Sequence, residues 1–492
     1  MPLLFILVGA FLLRVSYLGM ESFWLDELYV MVESDPHQPL SQLFYFLKCC
    51  DLHPPLFYLL ERMVFAAFGQ SEVSARILPA IAGTVSVWAM YLLGREVHSK
   101  RLGLIAAALT AVNYFNIYYS REARDYIFVF LFAAFSLIYL FRLVKHLRAK
   151  DMWLYSLFAL LTMYSDNFGV ILIFSEFCAV LALICLAKEK KARLLRFAGS
   201  AVIILLGYLP WIRVFLSLGK IESFWIRPLR WDWLFVYFAS YFGRTAELGI
   251  IMLVLLAVSV TVAFLRRRSI FRNVTGSPGG LAIILLGGTI LLTYGIPFIR
   301  SLLVIPMLQE RYTIIALPAI LIAIAYGFIL IPWNRVRNAG LAALLVLSLQ
   351  RAIGTYKIYT KPGKTQFREV TNFMASDTGR NQYPILNDRI AWQESYYISK
   401  FEYRGPFLDA PRAAMIDSII KKVSPKYDVE GFWLMDAHAA GKAADFLDAA
   451  NRARLDSFFV KEKERLFLDA WAEFYRRKGQ PGNDLSTKRV IY

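Results

Sequence analysis

The chain has 492 residues, 58% of them apolar and only 19% charged, with a formal net charge of +18 at pH 7. Soluble domains run nearer half apolar and a quarter charged, so this composition excludes an ordinary soluble protein and implies a polytopic membrane protein. The excess Lys and Arg fall in short segments between apolar runs, where they set topology and face anionic lipid headgroups; no basic stripe marks a soluble module, which argues against nucleic acid as a partner.

The opening run, "MPLLFILVGAFLLRVSYLGM", has no basic n-region and no small-residue cleavage site, so it reads as a retained first helix near 2–20. Runs of apolar residues predict further helices near 76–94, 102–119, 126–144, 152–165, 168–187, 197–216, 247–265, 280–297, 313–331 and 338–352, about eleven in all. The connections after the even-numbered helices are "GREVHSKR", "RLVKHLRAKD", "KEKKARLLR", "RRRSIFRN" and "NRVR", all short and basic. This alternation places the N-terminus in the cytoplasm and the segment after the last helix outside.

Two outer segments are long. Residues 21–75 contain the amphipathic pieces "ELYVMVES" and "PLFYLLERMVFAAFG", which predict helices lying in the interface plane. The tail, 353–492, turns polar: "YPILN" and "GFWLM" predict short buried strands, and "FREVTNFMA", "AAGKAADFLDAANRA" and "LFLDAWAEFYRRK" predict amphipathic helices. The expected organisation is a membrane domain over 1–352 and a small outer α/β domain over 353–492. Cys49, Cys50, Cys178 and Cys185 form neither a disulfide framework nor a zinc site. There is no internal repeat.

Polar groups at the rim of a membrane are costly and therefore functional candidates. Asp26 and Glu27, in "SFWLDE", open the first outer segment. A carboxylate held beside a hydroxyl is a general base; the alternative is a helix N-terminus, where acids are favoured by the dipole. Arg14, within the first helix, either snorkels or pairs with these acids. His53 precedes a helix in "DLHPPLFYLL", where Pro54 and Pro55 stiffen the approach; it is either structural or a handler of protons or metal. In "YYSREARDY", Arg121 and Arg124 would share a face if helical, two guanidiniums suited to a phosphate. The competing reading is local pairing with Glu122 and Asp125. Glu310, Arg311 and Tyr312 lie at the outer edge of the tenth helix, and Asp166 at a tight outer turn in "YSDNFG". The aromatic and basic segment "KIESFWIRPLRWDW" fits a membrane interface.

Taken in order, the first helix with Arg14, "WLDE", "HPPLFYLL", "SREARDY" and "ERYTIIALP" resemble the GT-C glycosyltransferases of the protein O-mannosyltransferase and lipid A aminoarabinose transferase type. The resemblance spans most of the membrane part. It implies a GT-C-like bundle and an inverting transfer of sugar from a polyprenyl-phosphate donor to an acceptor hydroxyl on the outer face of a bacterial-type inner membrane. The acceptor is a lipid, a glycan or a protein. It implies Asp26 as the catalytic base, with Glu27 and His53 beside it. Arg121, Arg124 and Arg311 would hold the donor phosphate, supported by Arg14, Asp166 and Tyr312. Relatives often carry a His where this chain has Asp166. No cofactor is implied with certainty, and a divalent metal ion is left open. The alternative class is a flippase or transporter of lipid-linked sugars; it expects repeated halves and charges at mid-depth, and the sequence has neither.

Overall fold

The structure is a computed structural model that describes residues 1–186, 190–220, 225–243, 245–265, 278–388, 391–412, 415–418, 430–438, 440–441 and 443–478. The basic connection "RRRSIFRN", most of the run "KIES" and the start of "KEKKARLLR" lie at least partly outside the described residues. Packing divides the chain into two compact units. One is Met1–Leu18 with Glu33–Tyr359; the other is Gly19–Val32 with Thr360–Tyr492.

The first unit is helical. In chain order the opening helices are α1 (Pro2–Val15), α2 (Leu25–Glu33, which belongs to the second unit except for Glu33), α3 (Leu40–Cys49), α4 (Leu56–Phe68), α5 (Glu72–Val97), α6 (Lys100–Val112), α7 (Tyr114–Tyr119), α8 (Tyr126–His146), α9 (Ala149–Ser165) and α10 (Phe168–Leu186). Among the described residues, eight helices are long and apolar enough to cross a membrane: α5, α8, α10, Lys190–Ser217, Ala246–Leu265, Gly279–Leu303, Tyr312–Ile329 and Asn334–Thr355. The chain is a multi-pass membrane protein. The expected total of about eleven exceeds this because three expected helices are short. α1 has 14 residues, α6 has 13 and α9 has 17, whereas a hydrocarbon core of ~30 Å needs about 20 residues of helix.

Two of these shortenings have identifiable causes. α1 stops at Val15 because Ser16 turns extended. The helix expected over 102–119 breaks at Asn113, whose backbone is extended and whose side chain accepts the amide of Asn116, so one residue closes α6 and caps α7. Where α5 crosses α6, Gly94 and Gly103 bring the backbones together: a Cβ on Gly94 would stand 2.7 Å from the Gly103 backbone. Residues 21–75 contain the helices α2, α3 and α4, as their amphipathic pieces predict.

The second unit is built on a five-stranded mixed sheet in the order β2-β1-β3-β5-β4. The strands are β1 (Ile385–Asn387), β2 (Phe407–Asp409), β3 (Gly431–Ala437), β4 (Phe459–Phe467) and β5 (Ala470–Arg477). β1 runs parallel to β2 and β3, while β3–β5 and β4–β5 are antiparallel. "YPILN" and "GFWLM" form the expected strands, and "FREVTNFMA" the expected helix, Phe367–Ala375. "LFLDAWAEFYRRK" is not the expected helix but the end of β4 and all of β5. Leu468 and Asp469 make the two-residue turn, Asp469 in the left-handed region. Its Trp, Phe and Tyr at close spacing suit a buried central strand, where aromatic residues pack well. "AAGKAADFLDAANRA" divides into Ala443–Phe446 and Ala449–Phe458, the latter capped by Asp448.

Residues 19–32 are stitched to the tail within this unit. The Arg368 guanidinium donates to the carbonyls of Gly19 (2.8 Å) and Met20 (2.5 Å), the Phe23 amide donates to Tyr397 Oη (2.9 Å), and the Gly363 amide donates to Glu21 (2.6 Å).

Candidate active site

In the second unit, Asp26 and Glu27 occupy the first turn of α2. Consecutive helical residues point about 100° apart, and the two acids have different surroundings. Glu27 is fully buried, 3.2 Å from Lys364 Nζ, which is itself buried, and it accepts the Trp24 amide at 3.4 Å. Asp26 is half-buried. Glu27 is therefore held in a buried ion pair, and Asp26 is the more accessible acid.

In the first unit the arginines divide into two kinds. Arg14 is completely buried. It donates to the carbonyls of Ala10 (3.0 Å), Ala111 (3.2 Å) and Thr110 (3.2 Å) and to Asn116 Oδ1 (2.6 Å). Two of these carbonyls, those of Thr110 and Ala111, lie in the last turn of α6, so Arg14 braces that helix end. Arg121 does the same for α1, donating to the carbonyls of Arg14 (3.4 Å), Ser16 and Tyr17 (3.3 Å), with its guanidinium 4.7 Å from the Tyr359 ring centroid. The stretch 121–125 is a turn, not a helix, so Arg121 and Arg124 do not share a helical face. Gly83 permits the turn's approach to α5: a Cβ there would fall 1.9 Å from Ser120 Oγ.

Arg124 and Arg311 are the second kind. Their guanidiniums lie 5.9 and 5.8 Å from the same ring, that of Tyr126. Arg311 also lies 5.0 Å from the Trp225 ring and 5.4 Å from that of Tyr312, which stacks on Phe168 at 5.0 Å. Aromatic faces hold a cation without neutralising it. Asp166, beside Phe168, accepts the Phe168 amide at 2.6 Å and shapes the turn between α9 and α10, while Asn167 donates to the Leu52 carbonyl at 2.8 Å. That bond fastens the segment bearing His53 to this turn.

His53 Nδ1 is 3.1 Å from Asp51 Oδ2, and its Nε2 is 3.0 Å from Arg124 Nη2. Tyr58 donates to Asp51 Oδ2 at 2.6 Å and accepts from Arg124 Nη1 at 3.1 Å. Four side chains thus close a ring: Asp51, His53, Arg124 and Tyr58. Burial opposes ionisation of Asp51, but the charge and hydrogen bond of His53, then Arg124 and Tyr58, outweigh it and hold the carboxyl well below its usual range. His53 is raised to about 9, burial and Arg124 lowering it less than Asp51 raises it. Glu33, buried at the end of α2, is pushed up to about 9 by burial and then by Asp51. Asp125 is raised to about 6 by burial and by Asp166, and Asp166 is raised by burial. Asp51, Tyr58, Glu33 and Asp125 are not singled out in the sequence reading. The spacing Asp-x-His in "DLHPP" is a signal for the first; Asp125 reads only as a local partner of Arg124, from which it stands 3.8 Å.

Among the described residues, no three His, Cys, Asp or Glu side chains converge to hold a metal ion.

Residues 52–213, about a third of the chain, match the model of the dolichyl-phosphate-mannose-protein mannosyltransferase family. The fold is similar to that of ArnT from Cupriavidus metallidurans in the apo state, at 10% identity and a TM-score of 0.59 over 96% of this chain and 97% of that one. It is also similar to the oligosaccharyltransferase of Archaeoglobus fulgidus with zinc and sulfate, at 14% identity, a TM-score of 0.55 and coverage of 88% and 68%. The arabinofuranosyltransferase AftD from Mycobacteria aligns at 12% identity and a TM-score of 0.52, over 97% of this chain and 40% of the other. No curated protein matches the chain in sequence.

Proposed function

We propose that the protein transfers a sugar, with inversion, from a polyprenyl-phosphate donor to an acceptor hydroxyl on the extracytoplasmic face. The observation that carries this reading is the pair of guanidiniums, Arg124 and Arg311, bedded on the ring of Tyr126. Two guanidiniums gathered at one aromatic ring suit an anion, and a lipid phosphate is the anion that enzymes of the family matched over residues 52–213 meet in a membrane. A structure of the similar ArnT holds undecaprenyl phosphate, which supports the choice. Arg121 and Arg14 brace helix ends and so position the turn that carries Arg124.

The reaction is one displacement. The acceptor oxygen attacks the anomeric carbon as the bond from that carbon to the phosphate oxygen breaks. Negative charge gathers on the departing phosphate, and preorganised donors such as Arg124 and Arg311 stabilise it by about 3 kcal/mol each. The sugar carbon becomes oxocarbenium-like. Asp26 takes the acceptor proton, while Glu27, paired with Lys364, keeps the first turn of α2 in place. A single base and a single displacement give inversion. The outer-face assignment rests on the alternation of basic connections, as does placing the enzyme in a bacterial-type inner membrane with a cytoplasmic N-terminus.

Purified protein in detergent, given a radiolabelled polyprenyl-phosphate sugar and candidate lipid, glycan or protein acceptors, should release polyprenyl phosphate and label one acceptor with the opposite anomeric configuration. Asp26→Asn should bind donor and transfer nothing. Near-normal turnover by Asp26→Asn removes it from the mechanism; movement of intact donor across a vesicle membrane without transfer makes the protein a transporter instead.

A further inference from the structure

The stretch that carries Arg311, "LQERYT" (308–313), is gripped at both ends by one short helix, Trp233–Tyr241. Tyr237 and Tyr241 are four positions apart on that helix and so share a face. Tyr237 Oη donates to the Leu308 carbonyl at 2.8 Å, and Tyr241 Oη bonds to Thr313 Oγ1. Between these two points of attachment stands Arg311. The backbone there needs holding, because residues 305–309 have no regular secondary structure and the helical turn begins only at Tyr312.

The bonds at the second attachment have a direction. Thr313 Oγ1 donates its one hydrogen to the Glu310 carbonyl at 2.7 Å. Its oxygen therefore accepts from Tyr241. Tyr241 has then used its own hydrogen, so it accepts from Tyr294, whose hydroxyl it also meets. The carbonyl can only accept, and it fixes the order: Tyr294 to Tyr241 to Thr313 to Glu310, the residue before Arg311. Each hydroxyl in such a chain polarises the next, and Tyr241 and Thr313 are both buried. The helix that supplies the grip is itself anchored. Asn113, at the break between α6 and α7, donates to the Tyr241 carbonyl at 2.9 Å, and Phe115 packs edge-on against the Tyr241 ring at 5.0 Å. At the other end Trp233 stacks on Phe298 at 5.3 Å.

We propose that Tyr241, acting through Thr313, and Tyr237, acting through Leu308, are positioning residues for the donor phosphate. They set where the Arg311 guanidinium stands over the Tyr126 ring, at 5.8 Å, and do not touch the donor themselves. This rests on the reading of Arg311 as a phosphate ligand; it concerns the place of that group and not the number of its other partners.

The test is binding of polyprenyl phosphate, and of the polyprenol of the same length, to the purified protein in detergent. Tyr241→Phe keeps the ring and removes one hydroxyl. It should raise the Kd for the phosphate roughly 3- to 10-fold and leave the Kd for the alcohol unchanged. Thr313→Val should do the same, Thr313→Ser should bind as the wild type does, and Tyr237→Phe should give a rise of similar size. In an Arg311→Gln background the effect of Tyr241→Phe should shrink below about twofold, because the group being positioned is gone. Unchanged phosphate binding by Tyr241→Phe overturns the proposal. So does an equal loss of alcohol binding, or the same factor in the Arg311→Gln background, either of which makes the tyrosine a general brace of the bundle. Arg311→Gln separates the two levels. If it binds polyprenyl phosphate like the wild type, the phosphate reading itself fails; if it loses binding while both Tyr→Phe variants bind normally, only the grip on the 308–313 stretch fails.

Discussion

The two adjacent acids of "WLDE" should behave in opposite ways, and Lys364 is the means of separating them. Lys364 and Glu27 are a buried pair at 3.2 Å, with side-chain exposures of 4% and 0%. Replacing Lys364 by Met leaves the Glu27 carboxylate in a site with almost no water. Removing one member of a buried ion pair costs about 3–5 kcal/mol. Glu27→Gln alone removes the carboxylate charge beside the buried ammonium and should cost a similar amount. The double substitution removes both charges, so its cost should fall well short of the two single costs together, with a coupling of about 2 kcal/mol or more. Unfolding of the detergent-solubilised protein by heat or denaturant, followed through the tail's fluorescence (Trp433 and Trp471 are buried in its sheet), measures all four corners of the cycle. Asp26→Asn, by contrast, should leave that transition within about 0.5 kcal/mol of the wild type and abolish transfer. A coupling near zero between residues 27 and 364, or a double variant as unstable as the two single costs added, would refute the argument that Glu27 is structural.

Four further outcomes follow from geometry and charge. Gly83→Ala puts a Cβ 1.9 Å from Ser120 Oγ and 2.6 Å from Ser120 Cβ; it should destabilise by about 1–3 kcal/mol and be eased only in part by Ser120→Ala, as melting temperatures will report. Glu61 is fully buried in α4, and neither carboxyl oxygen has a hydrogen-bond partner among the described residues. Glu61→Leu should therefore be neutral or stabilise by about 1–3 kcal/mol in the same assay. His53 has a folded value raised to about 9, so the stability it contributes is fully present below its unfolded value of about 6.5 and is lost as pH rises through 9; a His53→Gln protein should lack that loss. Asp125 is raised to about 6, so the folded state binds more protons and stability falls as pH rises from about 4 to 6. Asp125→Asn should flatten that slope in pH-resolved unfolding, and a slope unchanged by the substitution contradicts the assignment.

Sequence periodicity read the long apolar helices well, because a run that must bury its backbone in lipid has few alternatives. α8, α10 and Ala246–Leu265 fall within a few residues of their expected ranges. It failed where one side chain overrode a run. Asn113 splits a continuous apolar stretch by capping, and nothing in the hydropathy of 102–119 signals that. It failed again at "LFLDAWAEFYRRK", where apolar spacing suited either period and the pairing of β5 with both β3 and β4 decided the outcome. At the candidate site, arginines were visible as residue types but not by occupation. Arg14 and Arg121 look like Arg124 in the sequence, yet their donors are taken by backbone carbonyls at helix ends created by shortened helices. Asp51 went unnoticed because its partners, Tyr58 and Arg124, are 7 and 73 positions away.

The excursion of residues 19–32 has a consequence for biogenesis. Those residues emerge from the ribosome early, but the segments they bind, beginning at Thr360, emerge more than 300 residues later. At about 5–20 residues per second, the Asp26 segment waits tens of seconds for its scaffold. Until then the polypeptide has inserted most of its membrane helices and possesses its arginines, but the loop bearing Asp26 has nothing to fold against. A chain truncated before Thr360 would therefore lack the partners of residues 19–32.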